Sequence, residues 1–350
     1  MIRKVKGNLL NADVQALVNT VNTVGVMGRG VALQFKQAFP DNYKAYKQAC
    51  DEGRVKIGEM FVFDLGGLHK TRYIINFPTK KHWRGKSRYD YIEAGLVSLV
   101  AEIQQHDIKS IALPPLGCGL GGLNWNQVYR YIQDYLGPIN SVDVLVYEPT
   151  GSPSADAIQT RTVRPQMTPG RATLLVLMRR YLEAQMDEAV TLLEIHKLMY
   201  FMQTLGEPLR LKYVKGVYGP YALNLHHVLE RIEGHFITGY GDGHEAPGKV
   251  IEYKPDAINE AETTLTKRQD TQARLSRLEQ LIKGFETPYG MELLASVHWI
   301  ATRDDKQARV NPVVAVKLTH AWNNRKRRVF KDEHIKSTWQ WLNDQHWLTQ

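Results

Sequence analysis

The chain has 350 residues, of which 43% are hydrophobic and 23% charged, and its formal net charge is +9 at pH 7. This length predicts two domains, and the longest apolar run, Leu174–Met178, is too short to cross a membrane. The basic N-terminus lacks the apolar stretch of an export signal, so we expect a cytoplasmic protein with no membrane partner. The net charge, spread over both halves, favours an anionic partner.

Two cysteines occur, Cys50 and Cys118, far apart and without histidines at ligand spacing. The sequence therefore predicts neither a disulfide framework nor a metal site, and we expect no cofactor.

Short β-rich runs alternate with helical patterns through the first 148 residues. This order predicts an α/β sandwich around a mixed, mostly parallel sheet. A first strand ends at Gly7 and Asn8, and further strands are predicted at QALVNTV, MFVFDL, RYIINF, SIALPPL and VDVLVYE. Helices are predicted over Val31–Phe39, Asp90–Gln105 and Asn126–Tyr135.

Prolines interrupt the pattern between Pro149 and Arg171. Residues 151–171 are therefore predicted to link a domain at 1–150 to a second domain at 172–350. In the second domain, ATLLVLMRRYLEAQ and TLLEIHKLMYFMQTLG have the apolar spacing of amphipathic helices. One long polar helix is predicted after Pro255, and the chain ends with the stretch DEHIKSTWQWLNDQHWL. This domain is therefore predicted to be mainly helical.

Two glycine-rich loops each precede a predicted helix: GVMGRGVALQF from Gly25, and PPLGCGLGGLNW from Pro114. Glycine lets a ligand approach backbone amides closely, and the start of a helix favours a negative group. The two loops therefore predict a site for a phosphate or pyrophosphate. A kinase or a dehydrogenase is disfavoured, because neither the Walker pattern nor the dinucleotide glycine spacing is present.

Together with GNLLNADVQALVNTVN and INFPTKKHW, these loops resemble those of a macrodomain, the ADP-ribose-binding α/β/α fold. Within that fold the first domain is most similar to the DarG-type antitoxins, which remove ADP-ribose from DNA. The resemblance implies an ADP-ribosyl glycohydrolase that acts on ADP-ribosylated thymidine in single-stranded DNA. It also implies a partner, a DarT-like DNA ADP-ribosyltransferase toxin whose product the enzyme reverses.

The resemblance also implies which residues bind ADP-ribose. Asn8 and Leu9 would lie beside the adenine, and Thr79 at the mouth of the cleft. Near the distal ribose would lie Thr20, Val21 and Asn22. The pyrophosphate would face the helix start, formed by Val31, Ala32, Leu33 and Gln34. The second loop would be supplied by Gly117, Cys118, Gly119, Leu120 and Gly121.

Lys80 stands where the family has its catalytic lysine. An ordinary lysine is protonated at neutral pH, so a reactive amine needs burial or a nearby positive charge. Lys81 and Arg84 are the candidates for that charge, while Lys81 and Lys86 also fit a solvated run that steers nucleic acid. The first domain also resembles the human terminal ADP-ribose glycohydrolase, which has an aspartate where this chain has Gly121. Lys80 therefore either attacks the anomeric carbon or only assists departure of the base.

The second domain resembles the Panacea domain of bacterial antitoxins over residues 172–345, through KLMYF (Lys197–Phe201) and YGPY (Tyr218–Tyr221). This resemblance implies that it binds the toxin. Two alternatives stay open: Leu198–Phe201 are simply core, and the stretch HAWNNRKRRVF either binds nucleic acid or places Arg325–Arg328 on a solvated face. The rival function is a non-catalytic ADP-ribose reader fused to a nucleic-acid-binding helical domain.

Overall fold

The computed structural model describes residues 1–67, 70–149, 159–185, 189–241, 243 and 246–348. The chain forms two compact units: the first is Met1–Val163 with Gly241–His244, and the second is Arg164–Tyr240 with Glu245–Gln350. Residues 151–158 of the predicted linker lie outside the described residues. In the described part of the chain, no helix is both long and apolar enough to cross a membrane.

The first unit is built on a six-stranded sheet with the order β1-β6-β5-β2-β4-β3, in which only β3 runs antiparallel to its neighbour. The strands are β1 Ile2–Val5, β2 Ala16–Asn22, β3 Phe61–Asp64, β4 Tyr73–Lys80, β5 Ser110–Leu113 and β6 Asp143–Tyr147. The helices are α1 Gly30–Ala38, α2 Pro40–Asp51, α3 Tyr89–Gln105 and α4 Trp125–Leu136, with a 3₁₀ turn at Leu9–Asn11. The mixed α/β sandwich is confirmed.

Helix α2 was not predicted from the sequence. Its stretch PDNYKAYKQACD buries only Asn42, Tyr46 and Ala49, so it lacks a continuous apolar stripe. By contrast, the central strands are buried on both faces: α3 and α4 pack on one face, and α1 packs on the other. This explains why β4 reads as a nearly continuous apolar run rather than as an alternating one.

The second unit is mainly helical, as predicted. Its helices are α5 Pro169–Gln185, α6 Leu192–Thr204, α7 Leu225–Ile232, α8 Pro255–Leu265, α9 Gln269–Ile282, α10 Pro288–Trp299, α11 Lys306–Val310, α12 Pro312–Trp322, α13 Asn324–Val329 and α14 Asp332–Asp344. Its short strands are β7 Val190–Thr191, β8 Tyr213–Gly216, β9 Gly219–Ala222, β10 Ile237–Thr238 and β11 Val250–Tyr253. Strands β8 and β9 form an antiparallel hairpin.

Helix α6 is the centre of the second unit. Every residue from Leu192 to Met202 is buried, and a capping box between Thr191 and Glu194 closes its N-terminus. The interpretation of Leu198–Phe201 as core is therefore confirmed.

The single long helix predicted after Pro255 is wrong, because α8 ends at Leu265 and α9 starts at Gln269. The buried stripe of α8 includes Ala261 and Leu265, whereas that of α9 includes Leu275 and Leu278. A continuous helix that kept the α8 stripe inward would bury the polar side chains at 272 and 279. Breaking the helix lets each half turn its own apolar face to the core.

The solvated face predicted for Arg325–Arg328 is wrong at Lys326, which is fully buried. Its Nζ donates to Glu292 Oε1 (2.8 Å) and to Ser296 Oγ (2.9 Å), and Arg325 Nη1 donates to the same carboxylate (2.5 Å). A buried ammonium needs such a partner. Arg327 and Arg328 are exposed, as expected.

Lys197 of α6 is a second buried lysine close to this ion pair. Its Nζ donates to Pro220 O (2.7 Å). Burial lowers the pKa of Lys197 to about 7, and the positive charge of Lys326 acts in the same direction, while Glu292 acts against it.

We expect Lys197→Met to stabilise the second unit near neutral pH. Stability rises with pH wherever the unfolded chain binds more protons than the folded one, which for Lys197 holds between about 7 and 10.5. The free-energy cost of burying the charged Lys197 ammonium is therefore largest at pH values below this window. The gain in unfolding free energy should be on the order of 3 kcal/mol at about pH 6.5 and shrink towards about pH 9.5. Denaturant unfolding across this range, with the exposed Lys212→Met as control, measures it; a gain independent of pH would contradict it.

Candidate functional site

The carboxyl ends of three parallel strands meet at one edge of the sheet. Strand β2 lies between β4 and β5, and all three run in the same direction. After β4 the chain passes over β2 to reach β5. The connection that follows β2 therefore leads towards β3 and β4, whereas the connection that follows β5 leads the other way, towards β6. This is where open α/β sheets form a ligand crevice.

The first glycine loop is held by Asn22, the last residue of β2. Asn22 Oδ1 accepts hydrogen bonds from the N–H groups of Val24 (3.0 Å) and Val26 (3.3 Å), and Nδ2 donates to Val26 O (2.6 Å). Tyr46 Oη donates to Asn22 O (2.6 Å). The amide expected near the distal ribose thus shapes the loop; a direct contact with ribose stays a prediction.

The start of α1 is suited to an anion. Gly30 enters the helix at φ +62°, which other residues rarely adopt, and the N-cap residue, Arg29, makes no side-chain capping hydrogen bond. The first-turn amides therefore need partners from outside the helix. The start of α4 differs, because Asn124 Oδ1 accepts from Gln127 N–H (3.3 Å). Of the two helices that follow the glycine loops, α1 is the better place for the pyrophosphate.

The four residues expected at the start of α1 differ in exposure. Val31 and Ala32 are half-buried, whereas Leu33 and Gln34 are buried. Val31 packs against the apolar cluster that contains Leu9. A ligand at this helix start would therefore contact backbone amides, while Leu33 and Gln34 belong to the interior.

The remaining expected residues lie on β2, on β4 and on the 3₁₀ turn. Asn8 Oδ1 accepts from Leu10 N–H (3.0 Å), so Asn8 caps the turn. Val21 is buried and Thr20 half-buried on β2. Thr79, expected at the mouth of the cleft, is instead buried within the strand ladder, where its hydroxyl faces Val21 O (3.4 Å).

Lys80 ends β4 directly opposite Asn22 in the parallel register. A hydrogen bond joins the residues that follow the two strands, because Thr23 Oγ1 donates to Lys81 O (2.8 Å). Lys80 is half-buried, and this burial lowers the pKa of its amine. The lowered pKa makes the neutral, nucleophilic form more accessible than in an ordinary lysine.

The positive charge that acts on Lys80 is not the one expected. Lys86 adds to the lowering of the Lys80 pKa, whereas Lys81 and Arg84 do not contribute to it. Both are exposed, and the Arg84 guanidinium lies 4.5 Å from the centre of the Trp83 ring. Lys86 is therefore more than a solvated charge: its Nζ lies near Gly122 of the second glycine loop, 3.4 Å from where a Cβ would stand.

The second glycine loop is closed by Ser87, a residue that the sequence did not single out. Ser87 N–H donates to Gly121 O (3.1 Å), and Ser87 Oγ is buried with no hydrogen-bond partner among the described residues. A Cβ at Gly121 would lie 2.2 Å from Ser87 Oγ and 2.3 Å from Gly117 O. The loop as folded therefore has no room for an aspartate at position 121.

Cys118, Gly119 and Leu120 form the outer part of this loop. Burial raises the pKa of the Cys118 thiol to about 11, so it is not a thiolate at neutral pH. Gly119 and Leu120 are exposed, and a Cβ at Gly119 would meet nothing within 4 Å. This part of the loop offers backbone amides and open space rather than a reactive group.

The edge thus combines a lysine of lowered pKa with two loops of backbone amides. Neither VNTVGVMGR nor GCGLGG contains an acidic residue, so these loops supply no carboxylate. This arrangement can bind an anion and present an amine to a carbon next to it.

A family model described as "Macro domain" matches residues 18–132. The DNA ADP-ribosyl glycohydrolase of Thermus aquaticus is 48% identical, over 96% of this chain and 91% of the relative. A DNA ADP-ribosyl transferase-DNA ADP-ribosyl glycohydrolase fusion protein of Thermosipho africanus is 35% identical over 41% of each chain. Among solved structures, the macrodomain of Thermus aquaticus DarG is 62% identical, covers 43% of this chain and 99% of its own, and has a TM-score of 0.42.

The identity to the Thermus aquaticus glycohydrolase extends through both units and nearly the full length of each protein. The chain therefore belongs to the DNA ADP-ribosyl glycohydrolase family, DarG, with the Macro domain of that family in its first unit.

Proposed function

We propose that this protein is an antitoxin that hydrolyses ADP-ribose from ADP-ribosylated thymidine in single-stranded DNA, with Lys80 as the catalytic residue. The observation that carries the proposal is the half-buried Lys80 amine of lowered pKa, at the sheet edge from which the amide-lined loops start. In this proposal the α1 start binds the pyrophosphate, and the second glycine loop covers it from the other side.

In the proposed reaction the neutral amine of Lys80 attacks the anomeric carbon of the distal ribose. The N-glycosidic bond to the base breaks, its electron pair stays on the base nitrogen, and the base takes the proton that the amine loses. Water then releases the ribose from the lysine. The alternative route needs the opposite protonation state, because a lysine that assists departure of the base donates its own proton. A lowered pKa favours the first route.

The segment after Lys80 supports a nucleic-acid substrate. Trp83 is 47% exposed, its ring stacks on His82, and the Arg84 guanidinium lies over it. Exposed aromatic rings stack on unpaired bases, and neighbouring basic groups pair with the phosphates. In this proposal His82, Trp83 and Arg84 contact the strand that carries the modified base.

We expect Lys86→Ala to shift the pH profile of the reaction. Removing this charge raises the pKa of Lys80, so less neutral amine is present near neutral pH. If the amine is the nucleophile, kcat/KM should fall by about threefold to tenfold at about pH 7.5, and its rising limb should move to higher pH. Lys81→Ala is the matched control and should leave the limb in place. A falling limb that moves upward would instead favour proton donation by Lys80.

The proposal also assigns binding of a DarT-like toxin to the second unit. It is supported by the Panacea-like sequence. The kind of partner is supported by the fusion relative, whose name joins a DNA ADP-ribosyl transferase to a glycohydrolase in one chain. Binding of nucleic acid through the stretch around Lys326 is disfavoured, since Lys326 and Arg325 are paired with Glu292.

We expect the full-length Lys80→Ala variant to keep part of its protection against a co-expressed DNA ADP-ribosyltransferase toxin. Its second unit would still hold the toxin, although the DNA modification would no longer be removed. Growth, toxin pull-down and DNA modification are measured together, with the fragment 164–350 as a second arm. If neither chain protects or retains toxin, the second unit does not bind it.

The remaining alternative is a reader that binds ADP-ribose without cleaving it, which the lack of a loop carboxylate favours. Incubation with an ADP-ribosylated thymidine oligonucleotide decides between the two. The proposed enzyme releases free ADP-ribose with multiple turnovers, whereas a reader retains the modified strand.

A further inference from the structure

The second unit contains a cavity of about 280 Å³ between α6 and the β8–β9 hairpin, far in sequence from the glycine loops. Its wall is largely apolar, and two basic side chains of α6, His196 and Lys197, complete the lining. The apolar lining comes from Leu192, Leu193, Val217, Tyr218, Tyr221 and Pro247. Val217, at the turn of the hairpin, is 60% exposed, so solvent reaches the rim.

Both basic groups have hydrogen-bond donors to spare. The Lys197 ammonium has three N–H donors, and among the residues that the structure describes it has one acceptor, Pro220 O at 2.7 Å. His196 Nδ1 accepts from Ala222 N–H (3.2 Å), which places the proton of the neutral ring on Nε2. Nε2 has no partner among the described residues, although His196 is only 3% exposed. Buried donors without acceptors are costly, and a ligand that supplies acceptors would satisfy them.

The charge around Lys197 is also unbalanced. The nearby carboxylate, Glu292, is already bound by Lys326 and Arg325. His226 places a further basic ring near His196. Lys215, on the hairpin, is paired with Asp304. The groups that face Lys197 and His196 therefore contain more potential positive charge than negative, and an anion in the cavity would correct this.

We infer that this cavity binds an apolar carboxylate, with the carboxylate accepting hydrogen bonds from Lys197 Nζ and His196 Nε2–H and the apolar body against the hairpin. The volume is at the small end of ligand sites and fits a group the size of one aromatic side chain. A single carboxylate matches two neighbouring donors, whereas a phosphate would bury additional unsatisfied oxygens. The ligand is either a free carboxylic acid or the carboxyl-terminal residue of a polypeptide. The site is independent of the proposed hydrolase.

Calorimetry on the full-length chain tests the inference with three probes: 3-phenylpropionate, an acetylated Gly-Ser-Gly-Phe peptide with a free carboxyl terminus, and the same peptide as its amide. We expect at least one free acid to bind and the amide to bind at least about tenfold more weakly, because the amide has no charge to pair with Lys197. Binding of 3-phenylpropionate alone identifies a small carboxylic acid as the ligand. Tighter binding of the peptide acid identifies the carboxyl-terminal residue of a polypeptide as the ligand.

Two sets of variants separate binding from folding. Lys197→Met should weaken binding of the acid at least about tenfold, and its unfolding midpoint should not drop, since no buried charge remains. Val217→Asp places a repelling carboxylate at the rim and should weaken binding, whereas Val214→Asp, on the same hairpin but outside the cavity lining, should not. Equal binding of acid and amide, unchanged binding by Lys197→Met, or no binding of any probe at millimolar concentration would overturn the inference.

Discussion

Lys80→Ala should abolish release of ADP-ribose from modified DNA while leaving ADP-ribose affinity within about tenfold, or about 1.4 kcal/mol. The amine is the one reactive group that the strand ends supply, since Cys118 is held as a thiol and the glycine loops contain no carboxylate. Removing it leaves the amides at the α1 start in place. Single-turnover rates on a thymidine-modified oligonucleotide and calorimetry with ADP-ribose measure the two effects separately.

Lys80→Arg is the matched control, because it keeps a positive charge but cannot act as a neutral amine. We expect it to be as inactive as Lys80→Ala. Reduction with borohydride during turnover adds a second readout: an ADP-ribose adduct on a peptide containing Lys80 would be direct evidence for attack on the anomeric carbon. Full activity of Lys80→Ala would remove Lys80 from the catalytic role.

The sheet could be predicted because its strands read as short apolar runs and helices α1, α3 and α4 have the apolar spacing of amphipathic helices. The strands predicted in the first half correspond to β2–β6, and its three predicted helices lie within one residue of α1, α3 and α4. The parallel order then brings Asn22 and Lys80 to one edge, although they are far apart in the sequence. Helix α2 was missed because its few inward-facing residues are mixed with charged ones.

The features that could not be predicted depend on contacts between distant segments. The spacing of KKHWRGK does not reveal that Lys86, rather than Lys81 or Arg84, faces Lys80, because the loop turns back onto the second glycine loop. In the second unit, the burial of Lys326 depends on Glu292, a residue of another helix. Local patterns report which residues can be buried; they do not report which partner neutralises a buried charge.

Gly121→Ala should disrupt the ligand site more than any other single methyl group added to the second glycine loop. The added Cβ would lie within 2.3 Å of both Ser87 Oγ and Gly117 O, so the loop or the Lys80–Ser87 segment must move. Overpacking of this kind costs about 1–3 kcal/mol. Because Lys86 precedes Ser87, the displacement should also change the environment of Lys80. We expect ADP-ribose affinity to fall at least about tenfold and turnover to fall further.

Gly119→Ala is the matched control, since its methyl group meets nothing within 4 Å and should change neither affinity nor stability. Gly119→Glu then separates charge from packing: the side chain has room, so a loss of ADP-ribose binding without a loss of stability would come from repulsion of the phosphates. Ser87→Gly combined with Gly121→Ala removes the clash with Ser87 but keeps the one with Gly117 O, so recovery should be partial. Unchanged ADP-ribose binding by Gly121→Ala would mean that the loop adapts and that Ser87 does not fix its shape.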